Sequence, residues 1–165
     1  MYNALNDILT KVPWDVLLQL VIDDPVDVTP DMVTAAWNGA SLSALTPEEA
    51  AAATTGAAAI TEALEGASSL VDGYCGRRCE VPFTTVPPFV KSLDLGIAVY
   101  HLFSRRENVP ENRQKVYDNA VKTLSAISRG EITLGVQPVP AAVATGSPEV
   151  ISSDRRFTRN SLRGL

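Results

Sequence analysis

The side chains most used for redox and zinc chemistry are few in this 165-residue sequence: two cysteines and one histidine. Both cysteines lie in VDGYCGRRCEVPF, with Cys75 and Cys79 four residues apart. A thioredoxin-like redox pair needs C-x-x-C at a helix N-terminus, where the dipole lowers a thiol pKa. Here the spacing is C-x-x-x-C, and the pair falls at the C-terminal end of an expected helix. A structural zinc site needs further ligands at suitable spacing, and His101 is the sole histidine. The cysteines therefore read as small buried hydrophobes. A small redox protein working through Cys75 and Cys79 is the rival reading. His101 lies between Tyr100 and Leu102 with no nucleophile motif beside it, and reads as a partly buried structural group.

Two other charged constellations stand out. Asp23, Asp24 and Asp27 cluster in DDPVDV but lack the ligand count and glycine of an EF-hand loop, so a solvated acidic turn is expected. The C-terminal DRRFTRNSLRGL places Arg155, Arg156, Arg159 and Arg163 around Phe157 and Leu162. Arginine and aromatic residues anchor protein interfaces, and the chain as a whole is acidic, with a pI of about 4.8. Docking on a protein surface is expected; a DNA-binding accessory protein using this basic arm is the alternative. There is no phosphate-binding glycine loop or nucleophile elbow.

The elements that carry these residues read as helices. Asn3 can cap a short first helix with Leu5, Ile8 and Leu9 on its apolar face. Pro13 opens a second, with Trp14, Leu17, Leu18, Val21 and Ile22 at helical spacing. Thr29-Pro30 starts a third, ending near Asn38-Gly39. In LTPEEAAAA, Thr46 caps, Pro47 begins, and Glu48 and Glu49 favour the positive helix end. That helix should run about 25 residues or more, with Ile60, Leu64, Ala67, Val71 and Tyr74 on one face and Gly56 as a local weak point. Its alanine-rich half could be closely packed or partly mobile. The prolines between Glu80 and Pro88 break the pattern. A helix from Pro88 to about Ser104 is apolar on two sides, Phe89, Leu93, Ile97 and Tyr100 against Leu95, Val99 and Leu102, as expected of a bundle centre. The last helix runs from about Pro110 to Arg129 and stops at Gly130.

The fold class is all-α: a small helical bundle with a long helix, residues 1–135, and an extended C-terminal arm, residues 136–165, docking on a partner. GVQPVPAAVATGSPEVISSD, before the terminal arginines, has linker composition. No apolar run approaches the ~20 residues of a membrane span. The N-terminus lacks a signal-peptide pattern, so synthesis in the cytoplasm is expected. Charge divides the chain: residues 1–76 hold one basic residue and eleven acids, net −10, and residues 77–165 hold thirteen basic residues and eight acids, net +5. Opposite-sign regions can meet between identical subunits in a head-to-tail ring. Arg77, Arg78, Arg105 and Arg106 are the inter-subunit candidates.

Four stretches in order carry a family resemblance: ASSLVDGYCGRRCEVPF, VPPFVKSLDLGIAVYHLFSRR, YDNAVKTLSAISRGEITLG and RRFTRNSLRGL. They resemble the Mu-like phage and prophage head–tail connector family, also called adaptor or head-completion proteins. Val71, Asp72, Tyr74, Arg78, Pro82 and Phe83 fall on the first motif, AVYHLF (Ala98 to Phe103) on the second, Tyr117 and Gly130 on the third, and Phe157, Thr158 and Arg159 on the tail. The cysteines stand where the family tends to place leucine and tyrosine. The alanine-rich stretch from Gly39 to Ala59 departs from the pattern. The resemblance implies a virion structural protein without enzymatic activity, cofactor, metal or catalytic residues, made in the bacterial host cytoplasm. It implies a ring, commonly of twelve subunits, at the head–tail interface, with the portal protein on one side and a neck or tail-completion protein on the other. DNA passes through the channel without sequence-specific binding, and no membrane is involved. On this reading Arg155, Arg156, Phe157, Arg159, Leu162 and Arg163 form the portal-binding arm, and an acidic channel wall would let DNA slide without sticking.

Overall fold

The computed structural model describes residues 1–23, 25–107 and 109–135. Among them the architecture is all-α, with six helices: α1 (Leu5–Leu9), α2 (Trp14–Val21), α3 (Pro30–Trp37), α4 (Pro47–Cys75), α5 (Pro88–Ser104) and α6 (Glu111–Arg129). The expected arm, residues 136–165, and every residue assigned to portal binding lie outside the described residues.

The spine is α4, 29 residues and so roughly 44 Å long. Its start is fixed by a reciprocal capping box. The Glu49 amide donates to Thr46 Oγ1 at 3.3 Å, and the Thr46 amide donates to Glu49 Oε2 at 2.8 Å. Pro47 then occupies the first turn, where its missing N–H is no loss. At Thr29 the start is set by Pro30 alone, since the threonine makes no side-chain capping bond.

α4 touches α2, α3, α5 and α6, while α5 touches α1, α2, α4 and α6. The centre of the bundle is therefore the α4–α5 pair, where the two-sided apolar pattern had pointed to α5 alone. Ile60, Leu64, Ala67 and Val71 are fully buried as expected, facing a core that includes Ile97, Ala98, Leu102, Leu124 and Ile127. Phe89, expected in that core, is exposed: it stands in the first turn of α5, whose buried side begins at Val90 and runs through Asp94 and Ile97.

The alanine-rich half of α4 is a closely packed helix. Ala52, Ala53, Gly56, Ala57 and Ala59 are buried. A Cβ at Gly56 would lie 2.8 Å from Ile22 Cδ1 and 3.3 Å from Val21 Cγ2. The glycine that weakens α4 in isolation is what lets α2 approach it. Gly66 does a similar service further along, leaving room for the His101 ring of α5.

Candidate interaction surface

The four inter-subunit candidates have divergent fates. Arg105 and Arg106 leave the end of α5 and reach the C-terminal end of α2. Arg105 Nη1 donates to the Leu20 carbonyl at 3.0 Å and Arg106 Nε to the Gln19 carbonyl at 3.1 Å, while Arg106 Nη2 donates to the Ile22 carbonyl. The last carbonyls of a helix have no intrahelical partner and carry the negative end of its dipole. The two guanidinium groups supply both the donors and the charge. Asp23 completes the clamp, 2.9 Å from Arg105 Nη2 and 2.9 Å from Arg106 Nη1. The acidic turn is thus partly an arginine acceptor.

Arg78 plays the same part for α6. Its Nε and Nη2 donate to the Ser128 and Arg129 carbonyls at 3.4 and 3.2 Å. Gly130, at φ +81°, turns the chain beneath it, and a Cβ there would lie 3.1 Å from the guanidinium carbon. Three of the four candidate arginines therefore make contacts within their own chain. Arg77 is exposed, and among the described residues no hydrogen bond or ion pair engages it.

Arg77 borders a cleft of about 420 Å³ between the end of α4 and the end of α6. Ser69, Leu70, Gly73 and Tyr74 line it from α4, and Ser125, Ser128 and Arg129 from α6. Arg129 is already neutralised by Glu131, at 2.6 Å, and donates to Ser125 Oγ at 2.7 Å. Among the described residues the cleft is left with one unpaired cation, beside serine hydroxyls and the Leu70 and Tyr74 side chains. Such a lining accepts a carboxylate.

The two oppositely charged halves are paired partly within the chain. Of the five ion pairs among the described residues, three join the acidic first half to the basic second half: Lys91–Asp7, Arg105–Asp23 and Arg106–Asp23.

Cys75 and Cys79 are free and buried. Burial pushes the Cys75 thiol up to about 11, with the Cys79 and Asp72 charges adding to it, and burial likewise raises Cys79. Neither is the low-pKa thiolate that redox chemistry uses. His101 is half-buried, and burial lowers its pKa against the opposing pull of the Ala63 backbone. Among the described residues no group of three or more His, Cys, Asp or Glu side chains could hold a metal ion, and no helix is long and apolar enough to cross a membrane.

Sequence reasoning missed a buried polar network. Asn3 caps nothing. It is buried, with Nδ2 donating to Asp94 Oδ2 at 2.7 Å and to the Lys91 carbonyl at 2.9 Å. The position before α1 belongs to Ala4, whose amide donates to Asp7 Oδ2 at 2.9 Å. Ser68 donates to Asp94 Oδ1 at 3.0 Å and accepts from the Tyr2 amide at 3.1 Å. The Tyr2 hydroxyl donates to Asp72 and accepts from the Phe83 amide at 3.2 Å. Burial, reinforced by donation to Asp72, raises its pKa to about 12. The network ties the first residues of the chain to α4, α5 and the loop between them. The available signal was an aspartate between Leu93 and Leu95 on a helix apolar on both sides.

Comparison with known proteins gives two matches. The profile of a family described as Bacteriophage Mu, Gp36 matches residues 2–152. A Haemophilus influenzae protein named Mu-like prophage FluMu protein gp36 is 28% identical over 109 residues, covering 66% of this chain and 76% of that protein. No solved structure matches.

Proposed function

This chain belongs to the Bacteriophage Mu, Gp36 family, and from that premise we propose that it has a structural or morphogenetic role in a Mu-like phage, as a head–tail connector subunit. In this reading identical copies form a ring between the capsid portal and the neck or tail. DNA passes through the central channel, and the protein catalyses no reaction and carries no cofactor. The family match across residues 2–152 is the observation that carries the proposal. The ordered connector motifs between Ala67 and Gly135 and at Arg155–Leu165 support it.

The bundle supplies the rigid body of each subunit. The last residues, with Phe157 and Leu162 among Arg155, Arg156, Arg159 and Arg163, supply the portal anchor. The apolar side chains fill pockets and the arginines meet carboxylates or carbonyl oxygens at the rim. One such anchor binds weakly, and a ring presents many at once, so avidity makes the joint strong. Truncation after Gly146 tests this. Circular dichroism should show the bundle still helical, while co-sedimentation with DNA-filled heads should be lost. Truncated protein that joined heads as well as the full chain would refute the anchoring role. Strong, salt-sensitive DNA binding by the isolated full-length chain would instead favour the accessory DNA-binding reading.

A further inference from the structure

The geometry points to a head-to-tail contact between copies of this chain in which the Arg77 cleft receives the acidic segment at the start of α3, with Asp27 and Asp31, of the neighbouring copy. The inference rests on the ring reading above and names the surfaces that would build it.

The cleft's chemistry defines its occupant. Arg78, Arg105 and Arg106 are engaged by carbonyls and Asp23 of their own subunit. Arg129 is neutralised by Glu131. Among the described residues Arg77 alone presents an unpaired charge at the cleft, with the Ser69, Ser125 and Ser128 hydroxyls beside it. A Cβ at Gly73 would meet nothing within 4 Å, so the α4 wall is open to an entering backbone. A turn bearing carboxylates fits this lining; a bare apolar helix does not.

The chain offers such a turn elsewhere on its surface. Asp27 and Asp31 are exposed, and among the described residues neither makes an ion pair. Asp27 lies three residues before α3 and Asp31 in its first turn, so the segment carries two carboxylates within five residues. Their segment leaves α2 beside Gly56, where Ile22 touches α4. Cys75 lies nineteen residues further along α4, roughly 28 Å away. Two different, complementary patches on one body generate a heterologous contact, which closes into a ring when the rotation allows.

The test is charge reversal with rescue, on the full-length chain. Arg77→Glu, the pair Asp27→Lys with Asp31→Lys, and all three changes together would be compared with wild type by sedimentation velocity and native mass spectrometry. All of these positions are exposed, and circular dichroism would confirm folding. Each reversal should raise the concentration needed for assembly by about tenfold or more, because it sets like charges against each other. The triple variant should return to within about threefold of wild type. Assembly of Arg77→Glu at the wild-type concentration would overturn the contact while leaving the ring reading intact. Loss without rescue would overturn Asp27 and Asp31 as the occupant. Rings of Arg77→Glu that formed normally yet failed to bind heads would assign the cleft to another partner. A wild-type chain that stayed monomeric both alone and on heads would overturn the ring reading with it.

Discussion

Asp94 has no exposed surface, yet it carries a carboxyl group in the middle of α5. Two donors face it, Asn3 Nδ2 at 2.7 Å and Ser68 Oγ at 3.0 Å, and no cation pairs with it among the described residues. Asp94→Ala removes both acceptor oxygens. The Asn3 amide keeps the Lys91 carbonyl, but one of its N–H bonds and the Ser68 hydroxyl lose their partner. Each stranded buried donor costs about 1–3 kcal/mol, so the loss should be about 2–6 kcal/mol. For a bundle of this size that is about 6–18 °C in Tm. Asp94→Asn is the sharper probe. Its amide can donate to Ser68 Oγ while its oxygen accepts from Asn3, the pattern of a protonated carboxyl. Burial pushes the Asp94 pKa up, against the lowering effect of the Asn3 and Ser68 bonds. The folded state therefore binds the proton more tightly than the unfolded chain. The stabilisation from that proton is fully present below the unfolded pKa and is lost as pH rises through the folded one. Asparagine has no proton to lose, so Asp94→Asn should gain on wild type as pH rises, by at most ~1.4 kcal/mol per pH unit. Urea unfolding followed by circular dichroism, across about pH 4 to 8, measures this difference directly. A wild-type advantage that grew with pH would mean the carboxylate is stabilised in its charged form, and the reasoning would be wrong. So would an Asp94→Ala variant losing less than about 1 kcal/mol.

Other expectations follow from single contacts. Gly56→Leu should cost about 1–3 kcal/mol by forcing α2 off α4, whereas Gly56→Ala should cost less, since the end of Ile22 can turn aside and buried Val21 need yield only slightly; thermal melts decide. Cys75→Ala with Cys79→Ala should lower Tm through lost packing and leave assembly on heads intact; stoichiometric zinc in the purified protein would contradict the packing role. Thr46→Ala should cost ~1 kcal/mol by removing the α4 cap, read as a lower urea midpoint with an unchanged slope.

How much of this was legible in the sequence depended on the range of the interaction. The start of α4 was readable because its cap is local: Thr46, Pro47 and Glu49 satisfy one another within four residues. The ends of α3 and α6 were readable for the same reason, at Asn38 and Gly130. The alanine-rich half of α4 was ambiguous because alanine gives no hydrophobic stripe. Its order comes from close approach to other helices, which appears only once Gly56 meets α2. Asn3 was misread as a cap because asparagine suits that position locally, while its actual partner lies 91 residues away. The arginines were recognised as important but not for their main work. Arg78, Arg105 and Arg106 bind helix-end carbonyls, which every residue has and no sequence pattern marks. For the same reason Arg77 could not be told from its neighbours until their partners were known.

Electron cryomicroscopy of the neck of virions assembled with this chain would show directly where the protein sits in the particle. A ring of these subunits immediately below the portal, open to DNA along its axis, with each Arg77 cleft turned toward the adjacent subunit, is the expected result. Virions that lacked the chain, or that carried it away from the head–tail junction, would contradict it.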